Sequence, residues 1–499
     1  MKNRYKDNAL ALFMAGILIA AGLSGCSGQS DGAATGESNV DVEESHEGDA
    51  DAKESYENNV DGEHAIEVDG ETASYSNIAV AKTGEADGDE ADFYGANSAV
   101  FATNGAELTI SDAHIETDGT HANAVFSYGE GTTVDISDSV IETAGNCSGG
   151  LMTTGGGTMN AANLTINTSG NSSAAIRSDR GGGTVSVDGG SYKTTGTGSP
   201  AIYSTADITV SGAQLESTAS QGVVVEGKNS VTLNDCELVA DNNTKNSDNS
   251  STYQAVMIYQ SMSGDADSGT SSFTMNDGSL TNANGDIFFV NNTACTINLA
   301  DSVITNNDPD GIFLRAEAAG WGNEGSNGGK VIMTASDQNI DGDMIIDEVS
   351  TLNLYLSDES AFNGSINSSG AEGGVYVELT DGSKWTLTAD SYINSLTCDS
   401  DSIDLNGHTL YVDGKAYASG TASSGEAIEI TAESSSQEKP SGDMPGGKGM
   451  GAPPEKPSGD EDGMGAPPEK PSDDEDGMGV PPEKPSGDKD GMGAPPESR

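Results

Sequence analysis

Aspartates recur at one position of a repeated apolar pattern, four residues after each copy begins. They are Asp112, Asp138, Asp235, Asp277 and Asp301. If the copies stack, these carboxylates lie about 5 Å apart and repel one another, and Ca²⁺, which takes about six to eight oxygen ligands, would relieve the repulsion. Alternatively, each aspartate caps the backbone of a tight turn. The chain has no EF-hand loop and no glycine- and aspartate-rich nonapeptide array, so Ca²⁺ is a candidate cofactor without one assigned site.

Two insertions into the pattern carry or adjoin scarce aromatic residues. The insertions 261–270 and 315–329 follow equivalent apolar runs, VMIYQ and IFLRA, so both are expected to leave the fold at the same corner. Tyr259, Arg315 and Trp321 are therefore candidate ligand-binding residues, because loops on a rigid scaffold often carry binding sites. Trp321 could stack on a sugar ring, or it could fold back onto the side of the scaffold.

Arginine is rare, and Arg177 and Arg180 occur together in the segment IRSDRGGG. The planar guanidinium group matches the geometry of a carboxylate. Two interpretations follow: the arginines pair with neighbouring aspartates such as Asp179, or they hold the carboxylate of a uronic acid. Both arginines are candidate ligand-binding residues.

Cysteine and histidine show no spacing that is typical of zinc sites. Apart from Cys26, the cysteines are Cys147, Cys236, Cys295 and Cys398, which lie in widely separated copies of the pattern. We expect them to be small buried residues. The five histidines form no metal-binding motif.

The amino terminus has the pattern of an export signal. A basic start precedes an apolar run from Ala9 to Leu23, which is short for a membrane-spanning helix. The run ends Leu-Ser-Gly-Cys, which resembles a bacterial lipobox and implies removal of residues 1–25 and lipid attachment to Cys26. Residues 26–63 are acidic and polar, so we expect a disordered tether. The expected location is extracytoplasmic, lipid-anchored to the cell membrane at the cell surface.

The elements that must position these residues are copies of a unit of about 24 residues. Residues 157–176 and 183–202 stay in register over their whole length. Alternation with period two in short runs, separated by Asp, Asn, Gly and Ser turns, indicates strands and not helices. Three short strands and three corners in each copy predict an all-β parallel β-helix of about 14 coils over residues 64–433.

Stacked coils place equivalent side chains in ladders. One ladder consists of Thr117, Thr143, Thr168, Thr194 and Ser217. These residues lie two positions after an apolar residue, so they should point to the same inward side. We expect their hydroxyl groups to bond to one another and to the corner backbone.

The net charge of the chain limits which partners it can bind. The formal net charge is −59, so nucleic acid is excluded as a partner and a membrane contact is expected through the lipid anchor only.

Residues 434–499 contain repeats of the KPSGDEDGMGAPPE type, which predict a disordered tail.

The lipobox, the T-[IV]-x-[VI]-x-x-x-x-[LI] pattern over about 350 residues and the Met/Gly/Pro tail resemble features of exported bacterial proteins. These belong to the right-handed parallel β-helix, or pectate-lyase-like, superfamily. The resemblance is to noncatalytic members that bind acidic plant polysaccharide with the help of calcium. It implies carbohydrate binding or adhesion, with an extracellular polysaccharide or the surface of a host or neighbouring cell as the partner.

Two alternative functions remain open. The same superfamily includes lyases and polygalacturonases that act on uronates, and residues 307–312 (NDPDGI) echo the first hydrolase motif. The later hydrolase elements do not follow, and residues 284–287 repeat the pattern one coil earlier, so no catalytic residue is assigned and the protein is not expected to be an enzyme. The second alternative is a structural surface spacer or a protein-binding adhesin.

Overall fold

The computed structural model describes residues 53–245, 252–261, 263–370 and 372–430. The signal segment, Cys26 and the tail 434–499 lie outside the described residues, as do residues 26–52 of the expected tether. The described chain is built almost entirely of strands, with one short helix at Asp89–Phe93. No helix among the described residues has the length and apolar character needed to cross a bilayer.

Three long sheets run through the fold, and each coil up to residue 336 adds one strand to each of them in turn. The strands of sheet A are Glu54–Asn58, Ile78–Lys82, His114–Thr117, Val140–Thr143, Thr165–Thr168, Ser191–Thr194, Gln214–Ser217, Glu237–Ala240, Ser279–Asn282 and Val303–Asn306. The strands of sheet B are Ile66–Asp69, Val100–Thr103, Val125–Tyr128, Leu151–Thr154, Ile176–Ser178, Ile202–Ser204, Val223–Glu226, Gln254–Tyr259, Asp286–Asn291, Leu314–Ala316 and Met344–Ile346.

The strands of sheet C are Thr72–Ser76, Glu107–Ser111, Thr133–Ser137, Gly157–Ala162, Gly183–Asp188, Asp207–Ser211, Ser230–Asn234, Thr270–Asn276, Ala294–Ala300, Lys330–Ser336, Thr351–Ser357, Gly374–Leu379, Ser395–Cys398 and Ser423–Ser424. Two smaller sheets continue the later coils. They contain Asn339–Asp341, Ala361–Asn363, Lys384–Thr386 and Ile403–Asp404 in one, and Ser391–Ile393, Leu410–Val412 and Lys415–Ala416 in the other.

Neighbouring strands within sheets A and B pair in parallel, and sheet C is parallel up to its last strand, Ser423–Ser424, which pairs antiparallel with Ser395–Cys398. This confirms the predicted all-β parallel β-helix. Like side chains meet across neighbouring coils; for example, Ile141 is in register with Ile115 and with Ile166. The alternating inward residues form one continuous apolar core along the stack.

The described stack begins earlier than the sequence predicted. Glu54–Asn58 pairs in parallel with Ile78–Lys82, although residues 26–63 were expected to be a tether. Its sequence, ESYEN, is polar and has no fully buried side chain. Backbone pairing therefore holds this strand in the stack. Its polar composition is the same as that of a tether, which is why the sequence did not predict it.

The hydroxyl ladder lies where the sequence placed it. Thr143 is in register with Thr117 and Thr168, and Thr194 is in register with Thr168 and Ser217, and all five side chains are buried. Four of the five hydroxyls, all but that of Thr117, donate to corner carbonyls and not to one another; Thr143 donates to Ser148 at 2.7 Å and Thr194 to Ser199 at 2.6 Å. Each ladder bond thus satisfies a backbone group where the chain turns from sheet A to sheet B.

Candidate functional site

Sheet B differs from its neighbours because, after its first strand, its side chains are buried or half-buried on both faces. Val223–Glu226 and Asp286–Asn291 are buried at every position, whereas His114–Thr117 of sheet A and Thr133–Ser137 of sheet C have exposed outward residues. The outward row of sheet B, in register from coil to coil, is Phe101, Phe126, Met152, Arg177, Tyr203, Val224, Met257, Phe289, Arg315 and Ile345. Such a row needs a cover, because it would otherwise expose apolar surface to water.

The first cover is an insertion, residues 83–99, between a strand of sheet A and a strand of sheet B. It contains the helix Asp89–Phe93, whose first turn carries acidic residues that favour a helix start. The Thr154 hydroxyl donates to the Phe93 carbonyl at 2.7 Å, which fixes the helix end on sheet B. Phe101, Phe126 and Met152 form an apolar cluster on the same outward row.

The second cover consists of the two insertions that the sequence singled out. Both follow strands of sheet B and lead into strands of sheet C, so they leave at one corner, as the equivalent apolar runs predicted. Asn292 joins them: its side-chain amide donates to the Gln260 carbonyl at 2.9 Å, and its backbone NH donates to the Asn327 carbonyl at 2.8 Å.

Arg180 connects the two covers. Its Nε donates to Asp265 at 2.7 Å, and another of its guanidinium nitrogens donates to Asp89 at 3.0 Å. The guanidinium carbon lies 3.6 Å from the centre of the Phe93 ring, a cation–π arrangement. Arg180 therefore fastens the helix insertion to the loop that contains Asp265.

Two adjoining hollows remain over sheet B beside the covers, and we call them together the sheet-B cleft. Both are lined by Tyr203 and Tyr259 of sheet B; Trp321 lines one hollow and Arg177 lines the other. The Tyr259 and Trp321 ring centres are 5.2 Å apart with an interplanar angle of 66°. Trp321 also packs, with Ala319, against the apolar cluster of Val224, Met257 and Phe289. The residue is half-buried, so it covers the side of the scaffold, and it also lines the cleft; stacking on a sugar ring stays a prediction.

A buried carboxylate holds the two tyrosines of the cleft. Tyr203 and Tyr259 both donate to the same oxygen of Glu226, Tyr259 at 3.0 Å, and Glu226 is 1 % exposed. Burial raises the pKa of Glu226 and raises the pKa of each tyrosine well above its ordinary value. The shared acceptor fixes the orientation of both rings before any ligand arrives.

Arg177 lies on the cleft floor, beside acidic groups. It donates to Asp179 at 2.9 Å, and both side chains are nearly buried. Asp92, Asp179 and Asp265 line the same part of the cleft. The predicted pairing of Arg177 with Asp179 is thus present, and the cleft contains more acidic than basic groups.

The structure separates the five ligand-binding candidates. Arg177, Tyr259 and Trp321 line the sheet-B cleft. Arg180 acts between the covers, and Arg315 lies further along the outward row, where it donates to Asp286 at 2.6 Å and lies 3.5 Å from Glu317. Arg315 is therefore a structural ion-pair residue.

The recurring aspartates occupy one corner between sheets C and A. Asp112, Asp138, Asp235, Asp277 and Asp301 have φ angles between 44° and 53°, the left-handed region that Asn, Asp and Gly tolerate best. Asn77, Asn163, Gly189 and Gly212 take the same position in other coils. Turn geometry accounts for these aspartates, which are exposed, and calcium binding by them stays a prediction.

Two groups of side chains among the described residues have ligand atoms close enough to share a metal ion. One is the exposed or half-exposed set His114, Glu116 and Glu142, and the other is Asp92, His121 and Cys147. The histidines form no metal-binding motif in the sequence, and these two groups arise because the fold brings their members together. Cys147 also differs from the other cysteines: it is half-buried, whereas Cys236, Cys295 and Cys398 are buried as expected.

No ligand-binding or metal-binding role was predicted from the sequence for Glu226, Asp92, His121 or Cys147. His121 and Cys147 are one coil apart, 26 residues, and this repeat spacing could have found them. Asp92 lies in an insertion, and Glu226 ends a strand that is otherwise apolar. The repeat pattern therefore marks neither residue as part of a site.

Comparison with known proteins finds no matching family, no similar curated protein and no similar solved structure.

Proposed function

We propose that the protein is a noncatalytic carbohydrate-binding protein of the cell surface and that the sheet-B cleft is its binding site. The observation that carries the proposal is that Tyr203 and Tyr259 of sheet B line two adjoining hollows, with Trp321 in one and Arg177 in the other. Aromatic faces bind the apolar side of a sugar ring, and polar groups beside them fix its hydroxyls. The lipobox-like sequence ending at Cys26 supports attachment to the membrane by lipid.

The charges of the cleft favour a ligand that donates hydrogen bonds. Arg177 and Arg180 are both engaged with carboxylates, and Asp92, Asp179 and Asp265 also line the cleft. Carboxylates accept hydrogen bonds from sugar hydroxyls but repel uronates. The cleft therefore suits neutral sugar residues better than a bare uronate. Binding of an acidic polysaccharide, as expected from the sequence, would need a cation such as Ca²⁺ to bridge the charges.

The surroundings of Glu226 support a noncatalytic role. Burial raises its pKa, as in a general acid, but the side chain is 1 % exposed and lies against Tyr203 and Tyr259. A substrate would have to displace these rings to reach it. A lyase or hydrolase acting on uronates is tested by assaying unsaturated products and new reducing ends. Turnover that is lost in Arg177→Ala or Arg180→Ala would favour the enzyme.

The ligand class is tested by retention of the full-length protein on immobilised polysaccharides. The panel contains neutral β-glucan, neutral galactan and mannan, and polygalacturonate with and without added Ca²⁺. We expect retention on at least one neutral polymer without Ca²⁺. Retention on polygalacturonate only when Ca²⁺ is present would instead favour the calcium-bridged acidic polymer. No retention on any polymer would contradict carbohydrate binding, and recovery of surface proteins from neighbouring cells would then favour an adhesin.

A further inference from the structure

Three potential metal ligands meet at the end of the sheet-B cleft, although they are far apart in sequence. They come from the corners between sheet A and sheet B in three consecutive coils: Asp92 from the enlarged first corner, His121 from the next and Cys147 from the third. One ligand atom of each lies within 4.8 Å of the other two. The stacking of coils, which places equivalent corners one above another, therefore produces the cluster.

The imidazole of His121 is buried beside the carboxylate of Asp92. Its ring is nearly buried, with 7 % of the residue exposed. Its Nδ1 lies 2.9 Å from Oδ1 of Asp92, which is the distance of an ion pair when the ring is protonated. A metal ion that replaces the ring proton would use the same two atoms as ligands. Because ligand atoms of a tetrahedral zinc centre lie about 3.3 to 3.6 Å apart, the two side chains would have to move slightly apart around the ion.

We propose that Asp92, His121 and Cys147 form a three-ligand Zn²⁺ site, in which the carboxylate, Nδ1 and Sγ bind the ion and a fourth position faces the sheet-B cleft. A thiolate and an imidazole select a borderline ion such as Zn²⁺ over Ca²⁺ and Mg²⁺, which prefer oxygen ligands. The thiolate and the carboxylate together neutralise the charge of the ion. Asp92 lines the cleft, so water or a ligand hydroxyl can take the open position.

The other histidine group lacks the features that carry this proposal. Nε2 of His114 lies 3.3 Å from Glu116 and 3.7 Å from Glu142, but its side chain is 39 % exposed and those of the glutamates are more than half exposed. Its two carboxylates form ordinary solvent-exposed ion pairs with the ring when it is protonated. This group therefore supplies the matched control.

The test is titration of the metal-stripped, full-length protein with Co²⁺ and Zn²⁺. Co²⁺ in a site with a thiolate ligand gives sulfur-to-metal charge-transfer absorption, together with the visible bands of a four-coordinate ion. We expect one such ion per chain, displaced by Zn²⁺. Cys147→Ser should abolish the charge-transfer band, and Asp92→Asn should weaken Zn²⁺ binding by more than about tenfold.

The variants are chosen so that the fold survives. Ser172 occupies the position of Cys147 in the next coil, with a φ angle of 55° against 56°, so serine is compatible with this corner. His121→Asn is a second variant that tolerates the left-handed conformation, since its φ angle is 56°. Cys236→Ser and His114→Asn are controls and should leave the cobalt spectrum unchanged. Absence of a charge-transfer band, or a band that persists in Cys147→Ser and disappears in Cys236→Ser, would overturn the proposal.

Discussion

Nε of Arg180 lies 2.7 Å from Oδ1 of Asp265, a residue 85 positions further along the chain. Since Arg180 also contacts Asp89 and the Phe93 ring, it joins two insertions that come from opposite corners of the coils. Sheet B is thereby covered from both sides, and the cleft between the covers keeps its shape.

Replacement of Arg180 should loosen the covers while leaving the coils intact. In Arg180→Gln we expect faster amide hydrogen exchange in residues 85–96 and 263–269, because the charge-assisted bonds and the ring contact are lost. The free energy of unfolding should fall by about 1 kcal/mol, since the guanidinium is partly exposed. Hydrogen-exchange mass spectrometry measures this. Lys193→Gln, which breaks an exposed pair with Glu216 on sheet A, should leave exchange in both segments unchanged; equal exchange in wild type and Arg180→Gln would contradict the fastening role.

The hydroxyl ladder should stabilise the fold through its bonds to the corners. Thr168→Val keeps the shape but removes the donor to the Ser173 carbonyl, at 2.5 Å, and should cost about 1–2 kcal/mol in the free energy of unfolding. Thr117 is the matched control, because its buried hydroxyl has no hydrogen-bond partner among the described residues. Thr117→Val should therefore cost much less. If chemical denaturation showed the same loss of unfolding free energy in Thr168→Val and Thr117→Val, the bonds to the corners would not stabilise the fold.

The left-handed backbone conformation at the corner should determine which substitutions of the recurring aspartates are tolerated. Asp138 has a φ angle of 49°, and Asn163 takes the same position one coil later with a φ angle of 54°. Asp138→Asn should thus leave the melting temperature nearly unchanged, whereas Asp138→Val should destabilise by about 1–2 kcal/mol. Thermal unfolding of both variants checks this, and an equally stable valine variant would contradict the turn role.

Asparagine variants also test the calcium hypothesis. Asp277 and Asp301 lie in consecutive coils, so their joint replacement by asparagine removes two neighbouring charges without changing the turns. A Ca²⁺-induced rise in melting temperature that is lost in this double variant would support a bound ion. The same response to Ca²⁺ in both proteins would exclude the ladder as its site.

Glu226 should make stability depend on pH. Burial raises its folded-state pKa above the ordinary value of 4.5, so the stabilisation from its bound proton is complete below that value and is lost as the pH rises through the folded-state pKa. Glu226→Gln stays neutral. The free energy of unfolding of the wild type minus that of the variant should therefore fall as the pH rises above 4.5. A difference that rises with pH would mean that the carboxylate is stabilised in its charged form.

The repeat made the stack and much of its register predictable. Period-two alternation and a constant offset suffice to align Thr143 with Thr168, because every coil must present the same inward positions to a narrow core. The left-handed corner at Asp138 could also be anticipated, since Asx residues and glycines alternate there along the chain.

Contacts made by insertions could not be predicted, because the repeat sets no register for them. Asp265 reaches Arg180, and Asp92 reaches the part of the cleft that Arg177 lines, only through loops that leave the coils. The outward burial of sheet B was missed for a related reason. A run such as Val223–Glu226 is apolar on both sides, and the sequence does not say what covers its outer face.

Calorimetric titration of wild type and Trp321→Ala with the neutral polysaccharide that retains the protein tests the central claim most directly. Thr209→Ala, on the outward face of sheet C, is the control. Binding in the sheet-B cleft predicts that Trp321→Ala weakens affinity by about tenfold, since an aromatic ring contact is worth about 0.5–1.5 kcal/mol beyond the area it buries, and that Thr209→Ala binds as wild type. Unchanged affinity in Trp321→Ala, or a loss in Thr209→Ala alone, would place the binding surface elsewhere and contradict the account.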